Sequence, residues 1–477
     1  MVAARRGRRP VQSGLCSHHA IPAQRDDHPV ALAQHDLRKA PGQRASGGPD
    51  AGPTRTSGSG GRHGETGREQ SRNRAPCRPH HDVALVDGSG RLLAKRHITD
   101  DAVGYKILLD LLAEYGDTAE NPIPVAIETS RGLLVAVLRT GKRQVFAINP
   151  MAAARYRDRH SVSRKKSDPG DALVLANILR TDMHAHRPLP QDSDLARALA
   201  VLARAQQDAR WNRQQISNQL RSLLREYYPS ALAAFEPWKN GLCHREAQEL
   251  LRAAPTPARA SRLTRKQLLA ALKRAGRQRG IEAEAERLRD VFRADWAHQP
   301  PLVEDALGKQ MLAVLVQLEA ACTAADNLSE AVEEAFPQHS DAEIILSFPG
   351  LGIQLGARVL AEIGDDRNRF ADARGLKAYA GASPITRASG KKSSITRRWV
   401  KNDRLNHAGY LWAFSAITAS PGAKTHYRRR RDEHGDWHAA AERNLFNRML
   451  GQLYNCLQHR KPFDEHTAFP VDLAAAA

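Results

Sequence analysis

The chain is poor in aromatic residues, which make up 5% of its 477 positions. Its five cysteines, Cys16, Cys77, Cys243, Cys322 and Cys456, never form a CxxC pair. That spacing argues against a zinc site or a disulfide framework and leaves a reducing cytoplasm as the expected setting. No run of about 18 apolar residues occurs, so neither a transmembrane helix nor membrane partnership is expected. The basic N-terminus is not followed by an apolar stretch, which excludes a signal peptide reading. Acid is in short supply: 72 Lys and Arg face 52 Asp and Glu, for a net charge of +20. Such a balance fits a nucleic-acid enzyme whose cations neutralise phosphates better than it fits weak nonspecific polyanion binding.

What is present divides the chain. The length suggests two to four domains, and 41% apolar residues suffice for real cores. Residues 1–80 hold no Phe, Trp or Tyr and almost no Lys, but much Arg, Pro, Gly, Ser and His. Such a segment cannot bury enough apolar surface to offset chain entropy, so disorder is expected. It reads either as a basic nucleic-acid arm or as an out-of-frame translation of GC-rich DNA, and its composition favours the second. Residues 81–190 alternate strand and helix: Val83–Val86, a turn at Asp87-Gly88, Arg91–Ile98, a helix from Ala102, a buried strand Ile123–Ile127, a helix from Gly132, and a strand Val145–Ile148 closed by Asn149-Pro150. That order predicts an α/β domain with a mixed sheet.

Residues 191–340 read as helical. Ser193 caps one long helix that ends at Pro229, and Thr264–Phe292 and Val303–Phe336 read as two more. Their three- and four-residue spacings fit an antiparallel coiled-coil arm, which is either plain core or a dimerisation element. Residues 341–465 read as a mainly α C-terminal domain, followed by a tail at 466–477.

Three acids carry the chemistry. Glu128 ends a buried strand, at the sheet edge where α/β active sites lie. Asp168 and Asp171 open a helix at i and i+3, one turn apart. Read alone, Asp168 is equally an N-cap and Asp171 a capping-box acid. Read together, three hard oxygen donors suit Mg²⁺, and two such ions about 4 Å apart can activate a nucleophile and stabilise a leaving phosphodiester oxygen.

The run Ala126-Ile127-Glu128-Thr129-Ser130, followed by Lys166-Ser167-Asp168-Pro169-Gly170-Asp171-Ala172, resembles the DEDD transposases of the insertion-sequence 110 family. Phe348-Pro349-Gly350-Leu351-Gly352, Tyr379–Pro384, Arg387–Lys392, Tyr427 with Arg428, Arg429, Arg430 and Arg431, then His438 and Arg443 resemble that family's second domain. The resemblance spans residues 82–464. It implies a ribonuclease-H-like, resolvase-like catalytic domain at 81–190, and a mobile-element enzyme that cuts and rejoins DNA. It implies Mg²⁺, two ions, at Glu128, Asp168 and Asp171. It also implies a serine nucleophile, at the position of Ser389. A structured guide RNA, a dimer or tetramer, and a bacterial cytoplasmic location at the nucleoid follow from the same resemblance.

Candidate nucleic-acid contacts are Lys165 and Lys166 beside the acids, Lys391 and Lys392 beside Ser389, Gly350 and Gly352 in a helix–hairpin–helix-like turn, and Arg428 to Arg431. Helix N-termini with open backbone N–H groups hold phosphates, although an ordinary tight turn has the same pattern. Tyr427 could stack on a base or simply pack.

One element of the family's pattern is missing. Its first acid lies on a Gly-Ile-Asp strand about a dozen residues before the Val86-Asp87-Gly88 turn, and counting back reaches Ala75, with no strand and no acid. Neither Asp82 nor Asp87 takes its place. The expectation is a sheet without its first strand, caused by a frameshift or a misassigned start. Two other functions therefore stand beside the active transposase: an inactive remnant that only binds nucleic acid, and a resolvase-like structure-specific nuclease.

Overall fold

The computed structural model describes residues 80–140, 143–160, 167–238, 240–390 and 392–470, together with the backbone of 30–35. The reading of residues 1–80 as disordered otherwise falls outside the described residues, as does the tail beyond 470. The chain forms two compact units that meet in sequence at Leu189 and Pro190.

The first unit contains β1 (Val30–His35), β2 (His80–Val86), β3 (Leu92–Thr99), α1 (Ala102–Glu114), β4 (Val125–Ile127), α2 (Leu133–Thr140), β5 (Val145–Ala147), α3 (Pro150–His160) and α4 (Asp168–Asp182). The sheet order is β3-β2-β1-β4-β5. β1 runs antiparallel to β2 and parallel to β4, and β4 runs parallel to β5. The mixed sheet is therefore as expected, but the expected gap at its centre is not there: Val30–His35 fills it. Without that strand, the facing edges of β2 and β4 would carry unpaired backbone groups in a buried layer, which proteins avoid. The strand escapes sequence reading because it lies far upstream of β2 and carries no acid.

Side chains of β2 and β4 alternate between two cores. Val83, Leu85, Val125 and Ile127 pack against Leu108 and Leu112 of α1 and Leu134 and Leu138 of α2. Ala84, Val86 and Ala126 pack against Ala153 of α3 and Ala172, Leu175 and Leu179 of α4. Each fully buried leucine there contributes about 1.5–3 kcal/mol. α3 is a helix that the sequence does not announce, since Asn149-Pro150 reads only as the close of the strand before it. Asn149 instead accepts a hydrogen bond from the Met151 amide and starts the helix.

The second unit begins with α5 (Asp194–Tyr227), capped as expected by Ser193, whose Oγ accepts from the Ala196 amide at 3.1 Å. Then come α6 (Pro229–Phe235), α7 (Arg245–Ala253), α8 (Pro257–Ala260), α9 (Arg265–Arg274), α10 (Ile281–Arg293) and α11 (Pro301–Ala335). α5 and α11 are 34 and 35 residues long and pair antiparallel, with Gln206 donating to Ser329 and Arg213 facing Asp326. The single helix read over Thr264–Phe292 is two. The chain turns between α9 and α10 at Gly276 (φ +92°) and Gly280 (φ +61°), backbone conformations that glycine alone adopts cheaply. α11 is long and apolar enough to cross a membrane by composition, but Met311, Val314, Leu315 and Leu318 lie in the core it shares with α5 to α10.

The remaining elements are α12 (Ala342–Leu346), α13 (Ile353–Ile363), α14 (Ala373–Tyr379), β6 (Ile385–Ser389), β7 (Lys392–Thr396), α15 (Asp403–Ala419), α16 (Pro421–Asp432), α17 (His438–His459) and α18 (Glu465–Ala468). Their core is built around Trp412, and Leu199 and Ala203 of α5 and Val332 of α11 enter it. Arm and C-terminal elements thus share one unit, with no break near residue 340. The antiparallel β6–β7 hairpin interrupts the otherwise α elements of residues 341–465.

Candidate active site

α4 starts at Asp168, and its N-cap is Ser167, whose hydroxyl accepts from the Gly170 amide. Asp168 is therefore not the cap and Asp171 is not a capping-box partner, so both carboxylates are available for other work. Asp171 is 1% exposed. Arg157 of α3 donates to its Oδ1, while its Oδ2 is buried without a hydrogen bond among the described residues. A buried carboxylate oxygen in that state is costly unless a cation or donor supplies the second contact. Asp168, one turn earlier, is half-buried.

Glu128 is the first residue beyond β4 and is half-buried. It lies two residues past Ala126, which belongs to the core under α4. The sheet thus delivers Glu128 to the same layer as the start of α4. Asp171 thus offers one orphaned buried oxygen to a cation or donor, but the ligand atoms of Glu128, Asp168 and Asp171 are not gathered within 4.8 Å of one another in the structure. Arg157 is a partner that sequence reading missed, because nothing in its spacing 14 residues upstream marks it.

Ala33 of β1 pairs with both Val83 and Ile127, and Gln34 pairs with Asp82. Asp82, Gln34 and Glu128 therefore occupy successive positions across the sheet edge, with Asp82 and Glu128 about 10 Å apart at backbone level. β1 contains no acidic residue. On its other side the structure assembles His80, Asp82 and His97, whose ligand-capable atoms all lie within 4.8 Å of one another. His97 Nδ1 is 3.2 Å from Asp82 Oδ1. This group went unread because it depends on the β2–β3 register, which sets Asp82 opposite His97. Two imidazoles make it a different donor set from the three carboxylates, suited to softer divalent ions than Mg²⁺.

Ser389 belongs to the second unit. It closes β6 and pairs with Lys392 across a two-residue turn, in which Gly390 has φ +56°. Gly is at home in such a tight hairpin turn. Ser389 and Lys392 are exposed. Lys391, Lys165 and Lys166 lie outside the described residues.

The Phe348–Gly352 motif resolves into distinct tasks. Phe348 packs edge-on against Trp412, whose Nε1 donates to the Pro349 carbonyl at 3.0 Å. Gly350 has φ +82°, and a Cβ there would sit 2.7 Å from the Ala416 amide nitrogen. Its glycine is required by packing against α15. Gly352, by contrast, is the N-cap of α13 with open space around it and no side-chain cap, so the helix N-terminus stays accessible to an anion.

Of the four arginines on α16, three are occupied. Arg430 and Arg431 bind Asp436 through its carboxylate and its carbonyl, and Arg429 contacts His426 at 3.1 Å. Arg428 is exposed and forms no ion pair among the described residues. Tyr427 is half-buried against the core of the second unit, and its hydroxyl is 2.7 Å from His438 Nδ1.

Comparison with known proteins bears on both units. A family profile described as Transposase matches residues 78–229, and one described as Transposase IS116/IS110/IS902 family matches residues 342–428. The chain is 69% identical over 398 residues to the mini-circle protein for IS117 of Streptomyces coelicolor, a transposase by name, covering 83% of this chain and 96% of that protein. It is 30% identical over 414 residues to the 42 kDa protein of insertion element IS900 from Mycobacterium paratuberculosis, covering 83% and 96%. It is 27% identical over 412 residues to the 43.6 kDa protein of insertion element IS110 from Streptomyces coelicolor, covering 83% and 95%.

Proposed function

The chain belongs to the IS110 family of transposases, and on that premise we propose that it cuts and rejoins DNA strands to move an insertion sequence. The observation that carries the reading is Asp171, a buried carboxylate with one oxygen held by Arg157 and the other unsatisfied, one turn from an Asp168 that Ser167 relieves of capping. The sheet order β3-β2-β1-β4-β5 with α4 on one face supports a ribonuclease-H-like domain.

Glu128, Asp168 and Asp171 would hold Mg²⁺. When bound, the metal supplies Lewis-acid stabilisation of phosphodiester oxygens. Ser389 is the nucleophile. Its Oγ forms a bond to phosphorus, one phosphorus–oxygen bond to deoxyribose breaks, and the departing sugar oxygen takes up a proton. The reverse step, with a new sugar hydroxyl attacking the phosphoserine, rejoins the strand without loss of phosphodiester energy. Lys391 and Lys392 hold the scissile phosphate. Lys165, Lys166, the backbone at Gly350 and Gly352, and Arg428 with its neighbours to Arg431 contact the nucleic-acid backbone. The α5–α11 arm serves dimer or tetramer assembly, and a structured guide RNA selects the DNA. The basic surface of a +20 chain supports such partners.

A second reading is favoured by one observation: β1 carries no carboxylate beside Glu128. A chain short of one acid would bind DNA without cutting it. The test is Mg²⁺-dependent cleavage of DNA bearing element ends. Cleavage abolished in Asp168→Ala supports the transposase; tight binding without cleavage by the unaltered chain supports the inactive remnant.

A further inference from the structure

The first unit gathers a second set of donors that the strand-transfer chemistry leaves unused. His80 and Asp82 stand two apart on β2, so strand alternation sends both side chains to one face of the sheet. Ala84 and Val86 continue the same alternation into the core under α4. His97 of β3 pairs with Asp82, and Thr99 pairs with His80, so the two imidazoles and the carboxylate share one corner of that face. His81 alternates away from them, and its Nε2 lies 3.1 Å from Asp100 Oδ1.

The spacing within this corner is that of a metal site. One ligand atom each from His80, Asp82 and His97 lies within 4.8 Å of the other two. The His80 and His97 rings are 4.2 Å apart, centroid to centroid. His97 Nδ1 is 3.2 Å from Asp82 Oδ1. Two ligands bound at about 2.0–2.1 Å to a tetrahedral ion are themselves about 3.3 Å apart. That pair therefore already has the separation an ion requires, and an ion there takes the place of the proton the two atoms share. Solvent reaches the corner through His97, whose side chain is 60% exposed, over an Asp82 side chain that is 9% exposed.

We propose that His80, Asp82 and His97 bind one borderline divalent ion of the Zn²⁺ type, which clamps β3, the outermost strand of the sheet, onto β2. Two imidazoles and one carboxylate favour Zn²⁺ over Mg²⁺. Three protein ligands leave a fourth position for water. The ion is not half of a catalytic pair. Such pairs lie about 4 Å apart, whereas Asp82 and Glu128 are two strand spacings apart, roughly 10 Å, with β1 between them. The inference does not depend on the DNA-directed reading, because its donors are other residues with another task.

The test is calorimetric titration of the full-length protein, stripped with EDTA and dialysed, with ZnCl₂ in excess MgCl₂, beside thermal denaturation of the same samples. The expected result is one Zn²⁺ site per chain, at least a hundredfold tighter than Mg²⁺, and a higher unfolding temperature with Zn²⁺ bound. His97→Ala and His80→Ala should each weaken Zn²⁺ at least tenfold and remove most of the thermal gain, while Asp168→Ala leaves both unchanged. X-ray absorption at the zinc edge should show two imidazole ligands in the unaltered chain and one in His97→Ala. Circular dichroism checks the folding of His80→Ala, and the exposed His97→Ala carries the test if that variant fails to fold. Zn²⁺ affinity untouched by His97→Ala, Mg²⁺ bound as tightly as Zn²⁺, or Zn²⁺ binding lost in Asp168→Ala would overturn the site. Zn²⁺ bound there without a rise in unfolding temperature would overturn the clamp.

Discussion

The two units present their proposed reactive groups in opposite ways. In the first, Asp171 is buried, held by Arg157, and positioned by a helix whose cap, proline and core leucines fix its start. In the second, Ser389 stands exposed at the end of a two-stranded hairpin, beside a glycine turn. Burial and order suit a site that must hold charges at close quarters, where desolvation is repaid only by exact partners. An exposed tip suits a group that must reach an external phosphodiester. The difference also predicts where damage shows: around Asp171 as lost stability and lost chemistry together, at Ser389 as lost chemistry alone.

The largest expected effect is on the acids. Asp171→Asn or Asp168→Asn should lower Mg²⁺-dependent strand cleavage by at least about 10²-fold, because metal stabilisation of the transition state is worth several kcal/mol. Gel assays of cleavage rate check this, and a change under twofold would break the assignment.

Arg157→Ala probes the wiring of the same acid. Removing one partner of a buried pair strands the other, at a cost of roughly 3–5 kcal/mol. Urea unfolding in EDTA should show that loss in the first unit, and Mg²⁺ should restore part of it by supplying the missing cation. Equal destabilisation with and without Mg²⁺ would separate Asp171 from metal binding.

A smaller contrast lies within one motif. Gly350→Ala should destabilise the second unit by about 1–3 kcal/mol, since it forces a side chain into a left-handed backbone against α15. Gly352→Ala should change stability by less than about 0.5 kcal/mol. If Gly352 caps a phosphate-binding helix terminus, its effect appears in DNA affinity. Thermal denaturation and DNA titration of the two variants distinguish the roles.

Smallest is the contrast among the arginines of α16. Arg428→Ala should weaken DNA binding uniformly across sequences and reduce the salt slope by about 1. Arg430→Ala, which removes a partner of Asp436, should act mainly on the local fold. Fluorescence anisotropy over a salt series measures both, and equal salt slopes would remove Arg428 from the DNA contact set.

These contrasts follow what was legible in the sequence. Val83–Val86, Ile123–Ile127 and Val145–Ile148 announced themselves as apolar runs because both faces of the sheet are covered by helices. Glu128, Asp168 and Asp171 were legible because they stand at element ends with short-range signatures. Long-range features were not. The central strand Val30–His35 has no acid and lies far from β2 in sequence, and only sheet closure reveals it. Asp82 meets His97 through register alone. Arg157 reaches Asp171 across two helices. The β6–β7 hairpin is almost wholly exposed, so it lacks the alternation that marks a half-buried strand.

The most direct test of the account is denaturing electrophoresis of the protein incubated with Mg²⁺ and DNA bearing element ends. The account predicts a covalent protein–DNA species that is absent in Ser389→Ala and in Asp171→Asn. Full strand cleavage by Ser389→Ala with no covalent species in any sample would contradict it and leave a structure-specific nuclease in its place.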